Sequence, residues 1–176
     1  MSNVMIIGVG GAGCNMAETF KREAKSEQLK TARYVFIGLE EDLDNHQKDD
    51  GRILWNVSRN IPSHFFAGVK RAFILAGMGG RTGTTMASII AKMAKSAGVG
   101  YVAAVITLPF HFEGVQHIQR ALEGATNIKM LNLDLVISLD NERLSEKYAD
   151  LNLCNAFDFA DNAVLNAVED SFETGY

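Results

Sequence analysis

Two glycine-rich runs hold the densest chemistry of the chain. Gly8-Val9-Gly10-Gly11-Ala12-Gly13 follows an apolar run and opens a helical pattern, with Gly8, Gly10 and Gly13 at the spacing G-x-G-x-x-G. Glycines let the backbone approach a phosphate, and the free N–H groups and positive end of a helix start attract its charge. Glu40 or Glu41, at the end of the second strand-like run, could hold a ribose hydroxyl as dinucleotide-binding folds require. Taken alone, this run fits a phosphate site and leaves open whether the ligand is a dinucleotide.

The second run, Gly77-Met78-Gly79-Gly80-Arg81-Thr82-Gly83-Thr84-Thr85, also joins a strand pattern to a helix pattern. It has no Gly-Lys-Ser/Thr ending and so is not a P-loop. Backbone N–H groups with the hydroxyls of Thr82, Thr84 and Thr85 at a helix start make a phosphate cradle without a lysine. A glycine- and threonine-rich stretch of this length is costly to order for a bare turn. A dinucleotide site also needs only one such loop.

The elements that must position these runs alternate strand and helix patterns, as in an α/β domain with a largely parallel sheet. Strands are predicted at Val4 to Ile7, Tyr34 to Leu39, Arg52 to Val57, Ala72 to Ala76, Tyr101 to Ile106 and Leu133 to Leu139. Helices are predicted from Asn15 to Glu27, along the stripe Met86, Ile89, Ile90 and Met93, and from Phe157 to about Phe172. No repeat or internal boundary interrupts the order, so residues 1–176 read as one domain. The expected fold is a Rossmann-like parallel sheet between helix layers, with both glycine runs at the carboxyl ends of neighbouring strands.

Composition narrows the function classes. The 176 residues are 47% hydrophobic and 22% charged, with a net charge of −4. That balance argues against a sequence-independent grip on nucleic acid or an anionic membrane, both of which need clustered basic residues. The longest apolar run, Val99 to Leu108, is strand-sized and far short of a membrane span. The start carries no basic segment of a secretory signal. Cys14 and Cys154 make neither a disulfide framework nor a metal cluster, and His46, His64, His111 and His117 never pair at metal-ligand spacing. A soluble domain of the reducing cytoplasm is expected.

Five motifs, in order along nearly the whole chain, resemble the tubulin/FtsZ nucleotide-binding domain. Ile7 to Asn15 is similar to the first FtsZ loop, with Asn15 on its asparagine. Gly77 to Thr84 resembles the signature loop G-M-G-G-G-T-G-T-G, departing at Arg81 and Thr85. Tyr101 to Gly114 resembles the segment ending P-F-x-F-E-G, Asp140-Asn141-Glu142 the segment whose asparagine reads guanine, and Asn155 to Asn162 the start of the central helix. The resemblance implies GTP or GDP as ligand, with Mg as a possible companion. It would place Gly10, Gly11, Ala12, Gly13 and Asn15, together with Gly79, Gly80, Arg81, Thr82, Gly83 and Thr84, around the phosphates. Glu113, with His117 nearby, would serve the ribose, Asn141 and Asp161 the guanine edge, and Phe157 its face. A carboxylate at Asp161 can accept from the guanine N1–H and 2-amino group, a pair adenine does not offer.

Four departures qualify the resemblance. His117 stands where the family has an arginine, which weakens a phosphate or ribose contact. Arg81 replaces a glycine and either lends charge to the phosphates or fills the pocket. The stretch from Asp42 to Lys70 is shorter than in FtsZ and lacks the loop that senses a γ-phosphate, so GDP should bind about as well as GTP. The chain ends at Tyr176, so the family's water-activating loop and C-terminal domain are absent from these residues, and Asp158, Glu169 and Asp170 lie on or before the helix instead of beyond it. No catalytic residue is assigned. The expected function is guanine-nucleotide binding with little or no autonomous GTPase activity, acting through self-association or by capping and modulating a full-length FtsZ-type filament. The alternatives are an NAD(P)-binding oxidoreductase resting on Gly8, Gly10, Gly13 and Glu40, or an FtsZ-like scaffold that has lost nucleotide binding.

Overall fold

The apolar runs become six strands: Val4–Val9 (β1), Arg33–Gly38 (β2), Arg52–Asn56 (β3), Arg71–Gly77 (β4), Tyr101–Leu108 (β5) and Leu135–Asp140 (β6). All pair in parallel, in the order β3-β2-β1-β4-β5-β6. The computed structural model describes residues 2–44, 46, 52–148 and 155–173; Cys154 lies outside them. β1 is buried along its whole length, and β2, β4 and β5 nearly so. A strand covered by helices on both faces has no solvent side to alternate with, which is why these segments read as unbroken apolar runs.

Among the described residues the α-helices are Gly10–Glu23 (α1), Glu27–Lys30 (α2), Glu40–Leu43 (α3), Arg81–Ser96 (α4), Val115–Lys129 (α5), Asn141–Lys147 (α6) and Ala156–Glu173 (α7). α1 and α7 cover one face, where Phe20, Phe36, Phe73, Leu75, Val164 and Val168 form the core. α4 and α5 cover the other, over Ile7, Val9, Ile74, Ile90 and Ile128. The helix expected from Asn15 starts earlier, inside the glycine run. It also stops earlier, at Glu23, because Ala24 turns extended with ψ 138°. On α4 the buried face is Gly83, Ala87, Ile90, Ala91 and Ala94, and Ile89 of the expected stripe points to solvent at 42% exposure. Small side chains there let α4 lie close on the sheet.

Three local devices tie this frame together. Gly13 rests directly on β4: a Cβ at that position would sit 2.3 Å from the Leu75 carbonyl oxygen. Glu18 of α1 pairs with buried Arg52 and with His46, which fastens edge strand β3 to α1. Glu169 near the end of α7 accepts the backbone N–H groups of Lys25 and Ser26, just past the end of α1. Beyond β3, Phe65 and Phe66 turn inward and meet edge to face at 5.1 Å, with Trp55 against Phe65. No helix among the described residues is long and apolar enough to cross a membrane.

Gly13→Ala therefore forces α1 off β4. Its expected cost is about 1–3 kcal/mol, the range for overpacking a filled core, read as a lowered urea midpoint at unchanged slope.

Candidate functional site

In a parallel sheet every strand delivers its following segment to the same edge. Here the segments after β1, β2, β4, β5 and β6 open into one cavity of about 610 Å³, closed on a further side by α7. The first glycine run contributes Gly10, Gly11 and Ala12, with Asn15 just beyond it on α1, and the second contributes Gly80, Arg81, Thr82 and Gly83. The two runs touch. Gly10 has φ +72°, and a Cβ on it would lie 2.9 Å from the Gly83 nitrogen. Glu113 and His117 line the cavity from the segment after β5, Asn141 from the start of α6, and Phe157 and Asp161 from α7.

Gly13, Gly79 and Thr84 do not line the cavity; they brace it. Gly13 is spent on β4, as above. The Thr84 hydroxyl accepts the Gly79 N–H at 2.9 Å, and Gly79, at φ +108°, lies against the His117 backbone. Sequence reasoning also missed several lining residues: Leu39 and Asp42 after β2, Thr107 near the end of β5 and Pro109 just after it; Glu41, one of the two carboxylates offered for a ribose hydroxyl, does line the cavity. The one legible signal of the missed residues was position at or beyond the carboxyl end of a strand. Glu40, the ribose carboxylate of the dinucleotide alternative, is exposed and does not line the cavity. None of the described residues from Arg52 to Lys70 lines it either.

The helix starts at the cavity differ in an informative way. Asp140 caps α6, accepting the Glu142 N–H at 3.0 Å. α1 and α4 begin after Val9 and Gly80, and neither start has a side-chain cap. Their first N–H groups are left for an acceptor from outside the chain. Asn141 adds a second open demand: it is 4% exposed, yet its Oδ1 has no hydrogen-bond partner among the described residues. Leaving a buried acceptor unmet costs about 1–3 kcal/mol, so a donor belongs there.

Aromatic and acidic groups complete the wall. Phe110 stacks on Phe112 with centroids 4.9 Å apart, and Phe157 meets Phe110 edge-on at 5.4 Å. Phe157 is nevertheless 47% exposed, a ring face left open beside the cavity. Glu113 accepts the Phe110 N–H at 2.7 Å through one carboxylate oxygen, so its own turn sets its direction. Burial, with help from nearby Asp158 and against the pull of Arg22, pushes the Asp161 carboxyl up to about 7. Burial and the charge of Asp42 push the Cys14 thiol up to about 12, which keeps it protonated and inert beside the first glycine run.

Comparison with known proteins agrees with this geometry. Residues 50–149 match the GTPase domain of the Tubulin/FtsZ family. Cell division protein FtsZ 1 of Thermococcus kodakarensis is 33% identical over 96% of this chain and 49% of its own length. FtsZ 1 of Methanocaldococcus jannaschii is 30% identical over 96% of this chain and 50% of its own. The chain thus spans about half the length of these curated relatives. Among solved structures, an empty FtsZ dimer of M. jannaschii superposes with a TM-score of 0.74 at 26% identity, covering 96% of this chain and 53% of that one. A GDP-bound CetZ1 monomer of Haloferax volcanii shares the fold, with a TM-score of 0.73 at 19% identity over 93% of this chain and 58% of its own.

The raised Asp161 carboxyl sets a pH dependence. Below its ordinary value of 3.8 the group is neutral both folded and unfolded. As pH rises from there toward about 7, the unfolded chain gives up the proton and the ligand-free fold keeps it, so stability falls across that window and stays reduced above it. Asp161→Asn is expected to be more stable than the parent in urea at pH 8, with the gain gone near pH 4.

Proposed function

Because this chain belongs to the Tubulin/FtsZ family and carries its GTPase domain, we propose that it binds a guanine nucleotide along the carboxyl edge of its sheet. The observation that carries this reading is the unmet hydrogen-bonding demand gathered in one cavity. Two uncapped helix starts await an anion, and a buried asparagine oxygen awaits a donor. In this reading the phosphates lie over Gly11, Ala12 and Gly83, with Arg81 lending charge. Glu113 takes the ribose, while His117 offers less than the family's arginine. The base lies against Phe157, and Asn141 and Asp161 take its edge.

Asp161 gives the reading its chemistry of discrimination. Guanine offers two adjacent donors to an ionised carboxylate, so binding draws off the proton that burial retains in the empty site. Calorimetric titration with GDP and ADP tests this. GDP is expected to bind at least about tenfold more tightly, consistent with a hydrogen-bond difference of about 1–3 kcal/mol, and to gain affinity from pH 6 to pH 8. Asp161→Ala should abolish both the preference and the pH dependence. Unchanged guanine affinity in that variant would refute the assignment.

We further propose that the 176-residue chain turns over GTP slowly or not at all and acts through assembly or on filaments of FtsZ type. Activating water requires a base within hydrogen-bond reach. Two acids of α7 are poor candidates: Asp158 is exposed in its first turn, and Glu169 is engaged by Lys25 and Ser26. A head-to-tail filament needs two complementary faces on each subunit, and the cavity face is one. Offered to a growing filament of a complete FtsZ, that face would occupy one end. Sub-stoichiometric addition is expected to shorten filaments and lower light scattering, with no phosphate release from the chain alone. Unchanged filament mass, or GTP-dependent filaments of this chain alone, would remove the proposal.

A further inference from the structure

Two side chains that face the same end of the cavity stand on different elements. Asn141 opens α6, whereas Glu113 closes the short 3-10 turn His111–Glu113 that follows β5. Reading a base and its sugar together requires that these two elements keep a fixed separation. The turn is shaped by its own bonds: the Glu113 carboxylate accepts the Phe110 N–H, and the Glu113 N–H donates to the Phe110 carbonyl. Those bonds do not fasten it to a neighbour. Phe112 within the turn is 54% exposed, and Gly114 just after it swings the backbone to φ +100°.

Glu142 supplies the fastening. Its Oε2 accepts the His111 N–H at 2.8 Å, and its Oε1 lies 3.5 Å from His111 Nδ1. Among the described residues, no other hydrogen bond or ion pair joins residues 111–113 to another element. Glu142 is itself well placed to act as an anchor. It follows buried Asn141 directly, and its N–H donates to Asp140 Oδ1 at 3.0 Å. A bond from a backbone N–H to a carboxylate is charge-assisted, roughly twice as strong as a neutral one. The same turn steadies Phe157, whose ring stands edge-on to Phe110 at 5.4 Å and to Phe112 at 6.2 Å.

We infer that Glu142, which does not line the cavity, is a positioning residue for the nucleoside half of the site: through the His111 N–H it holds Glu113 in register with Asn141. The inference rests on the guanine-nucleotide reading above and deepens it. Without the fastening, Glu113 shifts relative to the base while the two glycine runs stay in place. The expected signature is therefore lost discrimination at the ribose, not a uniform loss of binding.

Titration with GDP and with 2′,3′-dideoxy-GDP tests this. The parent is expected to favour GDP by about tenfold, the scale of one well-made hydrogen bond. Glu142→Ala should lower that ratio to about threefold or less, whereas Glu142→Gln keeps an acceptor for the His111 N–H and should hold it near the parent's. His111→Pro removes the donor instead of the acceptor; Phe110, at φ −69° and ψ 153°, already has the extended backbone that precedes a proline. It should lower the ratio as Glu142→Ala does, with no further drop in the double variant, and it supplies the answer if a thermal melt shows Glu142→Ala unfolded. In the ligand-free protein the His111 amide should exchange at least about tenfold faster in Glu142→Ala than in the parent. A loss shared equally by both nucleotides, with the ratio unmoved, marks a merely structural role and overturns this inference alone. A parent indifferent to the ribose hydroxyls, or an unchanged exchange rate at His111, does the same. Binding of no guanine nucleotide overturns the reading beneath it and takes this inference with it.

Discussion

The contact on which the rest of the structure depends is the one with no side chain in it. Gly13 lets the backbone of α1 lie on the Leu75 carbonyl of β4, at the centre of the sheet. That approach sets the height and direction of α1, and with them the place of its first N–H groups. The close fit of Gly10 to Gly83 then follows, because both glycine runs leave neighbouring strands at the same level. A larger residue at either glycine would part the two helix starts and divide the cavity.

Much of this was legible in the sequence, for a physical reason. Strands buried on both faces leave unbroken apolar runs, and each of the six runs became a strand. Their boundaries moved mainly at the carboxyl ends, where Val9, Gly77 and Leu108 continue the pairing into the loops. The strand order alone did not separate a guanine-nucleotide fold from a dinucleotide fold, since both can use it; the second glycine run did. The choice of Glu41 over Glu40 and the placement of Asp42 were not legible, because an acidic tract after a strand carries no mark of which of its members turn toward the sheet edge. The role of Phe65 and Phe66 was hidden for a similar reason: their anchoring against Trp55 depends on a tertiary neighbour, not on local periodicity.

The site is also locally frustrated. Asp161 sits half-buried near another acid, and among the described residues nothing donates to the Oδ1 of buried Asn141. Such defects are tolerated when the remaining core supplies enough stability, and the fully buried aromatics around Phe20, Phe36 and Phe73 do so here. Frustration of this kind marks the places where the fold gives up its own optimum to a partner molecule.

The carboxylate of Glu169 has a mechanical consequence. It clasps the chain just past the tail of α1, while Phe157 and Asp161, at the head of the same α7, stand over the cavity. α1 and α7 therefore run in the same direction, lashed together at their distal ends like two oars on one pin. Because Gly13 holds the head of α1 on the sheet, a tilt of α7 about that pin changes the gap between the two heads. The jaw that would close on a base and the jaw that would close on phosphates share a hinge on the opposite side of the molecule.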